Sequence, residues 1–100
     1  MKLYDICKMI AEVEDGLAYG EIQFSYDNLM CAMKPGHPAD ILDDILSKIG
    51  WDVFEGKTPS NETVAQVLEE LKEFKATFKV KQLQKPINAL QKYLAEQGDN

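Results

Sequence analysis

The chain has 100 residues, 45% of them hydrophobic, and seventeen acids against eleven basic residues give a net charge of −6. This suits one domain with a real apolar core and is too short for two ordinary ones. Every basic residue is a lysine, so the bidentate contacts that arginine makes to phosphate and guanine are missing, and an acidic chain of this kind is a poor direct binder of nucleic acid.

No apolar run reaches the length of a membrane span, and Met1-Lys2 leads into a charged amphipathic segment rather than a secretory signal. A cytoplasmic protein with no membrane association is expected. Cys7 and Cys31 then read as buried free thiols in a reducing compartment.

Leu3, Ile6, Cys7, Ile10 and Val13 recur at helical spacing, with Asp5, Lys8, Glu12 and Asp15 mostly opposite. Gly16 is a natural stop, which predicts a first helix over residues 2–15. Leu17 to Gly20 reads as a turn, and Glu21-Ile22-Gln23-Phe24 alternates as a short strand does. Ser25 fits the N-cap of a short second helix, with Asp27 in its first turn and Tyr26, Leu29, Met30 and Met33 apolar. Lys34-Pro35-Gly36 closes that helix. In the next stretch Ile41, Leu42, Ile45, Leu46 and Ile49 form one helical stripe, with Pro38 at the first position and Gly50 just past the end. Asp40, Asp43 and Asp44 gather where carboxylates oppose the positive end of the helix dipole. Trp51 to Phe54 reads as extended, ended by Gly56.

Thr58-Pro59-Ser60-Asn61-Glu62 is a helix start, predicting a fourth helix over about 59–75 with Val64, Val67, Leu68, Leu71 and Phe74 on one face. Residues 76–83 alternate like a strand, yet Val80, Leu83, Ile87, Leu90 and Leu94 also follow a helical seam. A break before Pro86 places the last helix at 86–97, closed by Gly98. The expected fold is mainly α: a compact single domain of four to five helices. The alternating segments 21–24, 51–54 and 77–81 leave open a small two- or three-stranded sheet. Ile6, Ile10, Leu42, Ile45, Leu46, Val67, Leu71 and Leu90 are the expected core.

His37, Asp40 and Asp44 share a helix face at i, i+3 and i+7, but a capped, dipole-compensated helix start explains them, and no metal is expected. Cys7 with His37 offers no activated pair, because an apolar stripe raises a thiol pKa. With no nucleophile or glycine-rich loop near these groups, neither catalysis nor a cofactor is expected.

Charge divides the chain into an acidic part, 1–70, with fourteen acids and five lysines, and a lysine-rich part, 71–100, with six lysines and three acids. A regulator of helix-turn-helix type would use the second part, with Lys79, Lys81, Lys85 and Lys92 on phosphates and Gln84, Asn88 and Gln91 toward base edges. The acidic part supports the main expectation. Glu12, Glu14, Asp15, Glu21, Asp27, Asp40, Asp43 and Asp44 would imitate phosphates and occupy a basic groove on another protein, with Tyr19, and with Tyr4, Tyr26 and Met30, as apolar contacts.

The acidic, compact helical plan, the opening run from Met1-Lys2-Leu3-Tyr4-Asp5-Ile6-Cys7 through Glu14-Asp15-Gly16, and Phe24-Ser25-Tyr26-Asp27-Asn28-Leu29 resemble the small phage-encoded anti-CRISPR proteins that act on type I surveillance complexes. The resemblance is one of general character over the whole chain and carries no site residues with it. It implies a stoichiometric, non-enzymatic inhibitor, a phage protein working in the host cytoplasm, that docks on protein subunits and blocks target DNA capture. The partner would be a complex with a basic nucleic-acid-binding surface; the sequence leaves the oligomeric state open and favours a monomer.

Overall fold

Four α-helices organise residues 2–25 and 37–98, the part of the chain that this computed structural model describes. They are α1 (Leu3–Ala18), α2 (Pro38–Phe54), α3 (Asn61–Phe78) and α4 (Gln84–Gly98), with a 3-10 turn, Lys81–Leu83, leading into α4. The expected short helix after Ser25, with Tyr26, Asp27, Leu29, Met30 and Met33, lies outside the described residues, as does Cys31. Among the described residues no strand forms.

Each helix packs on the next, and α4 returns to α1, while α1–α3 and α2–α4 stay further apart. The four inward stripes therefore close on one apolar core. All eight expected core residues are buried, and no polar or charged side chain is buried with them among the described residues. Burying a side chain of this size stabilises the fold by about 1.5–3 kcal/mol before the loss of chain entropy is counted. The radius of gyration, 13.4 Å, matches the value of about 13 Å expected for a compact chain of this length.

The helix ends correct the sequence reading in a consistent way. Gly16 does not stop α1 and Gly50 does not stop α2; both are buried inside their helices. The actual terminators are Gly20 and Gly56, with φ of +78° and +83°, a region that costs a residue without Cβ nothing. At each, two backbone bonds close the turn. Glu21 N–H donates to Gly16 O at 2.8 Å and Gly20 N–H to Leu17 O at 3.4 Å; Lys57 N–H donates to Asp52 O at 2.7 Å and Gly56 N–H to Val53 O at 3.1 Å. This pairing satisfies carbonyls that a helix end otherwise leaves open. Trp51 to Phe54 is thus the last turn of α2 rather than an extended segment.

Other boundaries shift for local reasons. Ser60 caps α3, its Oγ accepting from Thr63 N–H at 3.2 Å, so the helix begins at Asn61 with Pro59 just outside. It runs through Phe78, whose ring packs at a tilt against Phe74 with centroids 4.7 Å apart, and Lys79 ends it in the left-handed region at φ 57°. The alternation at 77–81 arises because Phe78, Val80 and Leu83 turn inward from a helix end, a connector and a 3-10 turn. Helix α4 starts at Gln84, two residues before Pro86. Pro86 loses nothing there, because the first N–H groups of a helix have no partner within it.

Candidate functional site

Helices α1 and α2 run antiparallel, so the start of each lies beside the end of the other. At one end the Tyr4 ring packs edge-on against Phe54, centroids 5.4 Å apart. At the other, Glu14 lies close enough to Asp43 and Asp40 to feel their charges. These residues belong to two rows at three- and four-residue spacing: Tyr4, Cys7, Ala11 and Glu14 on α1, and Phe54, Gly50, Ser47, Asp43 and Asp40 on α2. Small residues occupy the middle of both. A second track on α2, sharing Asp40 and Ser47 with the first, carries Asp44 and Trp51 on its more exposed side. The middle of the first two rows, Cys7 and Gly50 included, is buried between the helices, and the exposed parts carry acids at one end and aromatic rings at the other.

The acid end gathers Glu14, Asp15, Asp40 and Asp43, with Asp44 on the adjoining row. Asp15, Asp40, Asp43 and Asp44 are exposed and Glu14 is half-buried. Burial, then the negative charges of Asp43, Asp15 and Asp40, together push the Glu14 carboxyl up from the usual 4.5 to about 7. Burial contributes most to that shift, and the neighbouring acids add to it. The placement also runs against helix electrostatics on one side. Asp40 sits in the first turn of α2, where the dipole favours it, but Asp15 lies in the last turn of α1, which has no basic residue to offset the negative helix end. A carboxylate so placed costs about 0.3–1 kcal/mol. Features that break a local rule without a structural gain are where function is expected.

The remaining expected site residues do not all join this face. Glu12 points the other way, lining an open groove of about 260 Å³ with Met9, Val13, Ile22, Gln82, Lys85 and Pro86. Tyr19 and Glu21 are exposed beyond the C-terminus of α1, and Asp27 lies outside the described residues. Tyr4 is not near the acids but at the opposite end of α1. Trp51, one turn before Phe54 on α2, is exposed at the same end as Tyr4. Phe54 has no place among the sequence-derived candidates, because Gly50 reads as a helix end; continuing the stripe through Val53 would have put Phe54 on the outer face.

The other constellations resolve into structural roles. His37 caps α2, its Nδ1 accepting from Ala39 N–H at 3.0 Å, and its ring packs edge-on against Phe24 at 5.2 Å. Among the described residues no three His, Cys, Asp or Glu side chains are placed to hold a metal ion. Burial pushes the Cys7 thiol up to about 11, which keeps it protonated. Lys72 pairs with Glu69 at 3.6 Å, and Gln84 donates to Asn88 at 2.7 Å, so two of the amides that a base-reading helix would use satisfy each other. No helix among the described residues is long and apolar enough to cross a membrane. The chain matches no protein-family profile, no curated protein and no solved structure.

Proposed function

We propose that the protein is a non-enzymatic inhibitor whose α1/α2 acid face docks on the basic, nucleic-acid-binding surface of a protein complex and blocks DNA capture. Type I CRISPR surveillance complexes are the target class, on the strength of the resemblance to anti-CRISPR proteins. The observation that carries the reading is the convergence of Glu14, Asp15, Asp40 and Asp43 from two helices on one rigid surface. The carboxylates of Asp15, Asp40 and Asp43, gathered around a Glu14 that holds its proton to about pH 7, present anionic oxygens at fixed helical spacing, so little ordering entropy is lost on docking. Their field accelerates encounter with a cationic groove and excludes the phosphates that would otherwise fill it.

The test is a gel-shift titration of purified type I surveillance complexes with their target DNA. An excess of this protein should abolish capture by a susceptible complex while leaving free DNA unshifted. Retardation of duplex DNA by the protein alone at physiological salt would contradict the proposal and favour a regulator using the lysine-rich part.

A further inference from the structure

Trp51 is 72% exposed, Phe54 49% and Tyr4 48%, three large rings at one end of the face whose other end is acidic. Single exposed apolar residues are ordinary on a protein surface, but these three are organised. Tyr4 and Phe54 hold each other edge-on across the two helices, Trp51 stands one turn before Phe54, and Lys8 Nζ lies 5.7 Å from the centre of the Tyr4 ring. At about 150–250 Å² per fully buried ring, these exposures leave on the order of 300–400 Å² of aromatic surface open. That is the size of patch that commonly marks an interaction site, and less than half of the roughly 800 Å² per partner that a stable interface buries. The rest of such an interface must come from neighbouring surface. The row Asp40, Asp44, Ser47 and Trp51 supplies it without a break.

Charge selects the occupant. Two copies packed parallel through this face would set Asp15, Asp40, Asp43 and Asp44 of one against the same acids of the other. Packed antiparallel, they would set those acids against rings, with Lys8 beside Tyr4 as the nearby cation. Neither arrangement matches the acidic charge. A cationic protein does. We infer that Tyr4, Trp51 and Phe54 are the anchoring end of the docking face, and that they enter an apolar socket on a cationic partner protein. At 1.5 Å per helical residue, that socket lies about 10–21 Å from the basic patch that meets Asp44 and Asp40. This inference rests on the proposed function and divides its labour. The acids govern how fast the partner is met, and the rings govern how long it is held, since buried aromatic anchors act chiefly on dissociation.

The measurement is association and dissociation rates of the full chain on an immobilised type I surveillance complex that it inhibits. Trp51→Ala and the Tyr4→Ala/Phe54→Ala pair are the test variants, and circular dichroism checks that each is folded. Faster dissociation by about tenfold or more, with association within about twofold of wild type, is the expected result. Unchanged dissociation in both ring variants, alongside slowed association when Asp40, Asp43 and Asp44 are reversed to lysine, would overturn the aromatic anchor and leave the acidic reading standing. Failure of the wild type to bind any of a panel of such complexes would overturn both. Concentration-dependent self-association in sedimentation, lost in Trp51→Ala, would overturn it in favour of a second copy as the occupant.

Discussion

Glu14 on α1 lies half-buried against the charge of Asp43 on α2, two carboxyl groups facing each other across the helix pair. Glu14 is the one that keeps its proton, through its burial and the charges of Asp43, Asp15 and Asp40. The folded chain thus retains a proton, up to about pH 7, that the unfolded chain releases near the usual 4.5.

The sign of the consequence is fixed by linkage. Where the folded state binds more protons than the unfolded, stability falls as pH rises. Glu14 should therefore lower the stability progressively from about pH 4.5 to about pH 7, with no further loss above that. Glu14→Gln should flatten this part of the profile and melt higher than wild type at pH 8. Thermal melts of both proteins at pH 5 and pH 8 check it, and a difference between them that does not change with pH would remove the coupled carboxyl pair.

Leu46 is buried on the inner stripe of α2, 6% exposed. Leu46→Ala should cost about 2–5 kcal/mol in denaturant unfolding, through lost transfer energy and the cavity left behind. A cost near zero would place that stripe at the surface.

The two buried glycines should respond oppositely. A Cβ at Gly50 would meet Leu46 Cγ at 3.5 Å and Phe54 Cε2 at 3.6 Å, ordinary contact distances. Gly50→Ala should therefore stabilise α2 by about 0.5–1 kcal/mol, since glycine inside a helix carries that entropic cost. At Gly16 the same atom would lie 2.5 Å from Ile22 Cδ1 and 2.7 Å from its Cγ1. Ile22 must then move off the helix, and Gly16→Ala should destabilise by about 1 kcal/mol despite the better helix propensity. Urea unfolding of the two variants side by side is the measurement, and a shared sign would contradict the packing described here.

Those glycines also show where sequence reading works and where it stops. The apolar stripes of α1, α2 and α3 are written in local spacing, and so is the start of α2 at Pro38; the structure has them where the pattern puts them, while the start of α3 moves from about 59 to Asn61. The helix ends are not so legible. Gly16 and Gly20, like Gly50 and Gly56, look alike in sequence, and only the fold shows which of each pair packs against a neighbour and which adopts a positive φ. Reading the first of each pair as the terminator cut both helices short and sent Trp51 to Phe54 into an imagined strand. The acidic end was legible as composition, but the pairing of Glu14 with Asp43 depends on the antiparallel packing of two helices distant in sequence. The same packing sends Glu12 to the opposite side of α1 and Tyr4 to the aromatic end.

The central claim is that the α1/α2 acid face steers the protein to a basic protein surface. The most direct measurement is the association rate with a susceptible type I surveillance complex, for wild type and for Asp40→Lys/Asp43→Lys/Asp44→Lys, at low and at physiological salt. The account predicts that the wild-type rate falls as salt screens charge over a length of about 8–10 Å near physiological strength, and that the triple reversal associates at least about tenfold more slowly at low salt while remaining folded. Equal association rates for the two proteins, insensitive to salt, would contradict it.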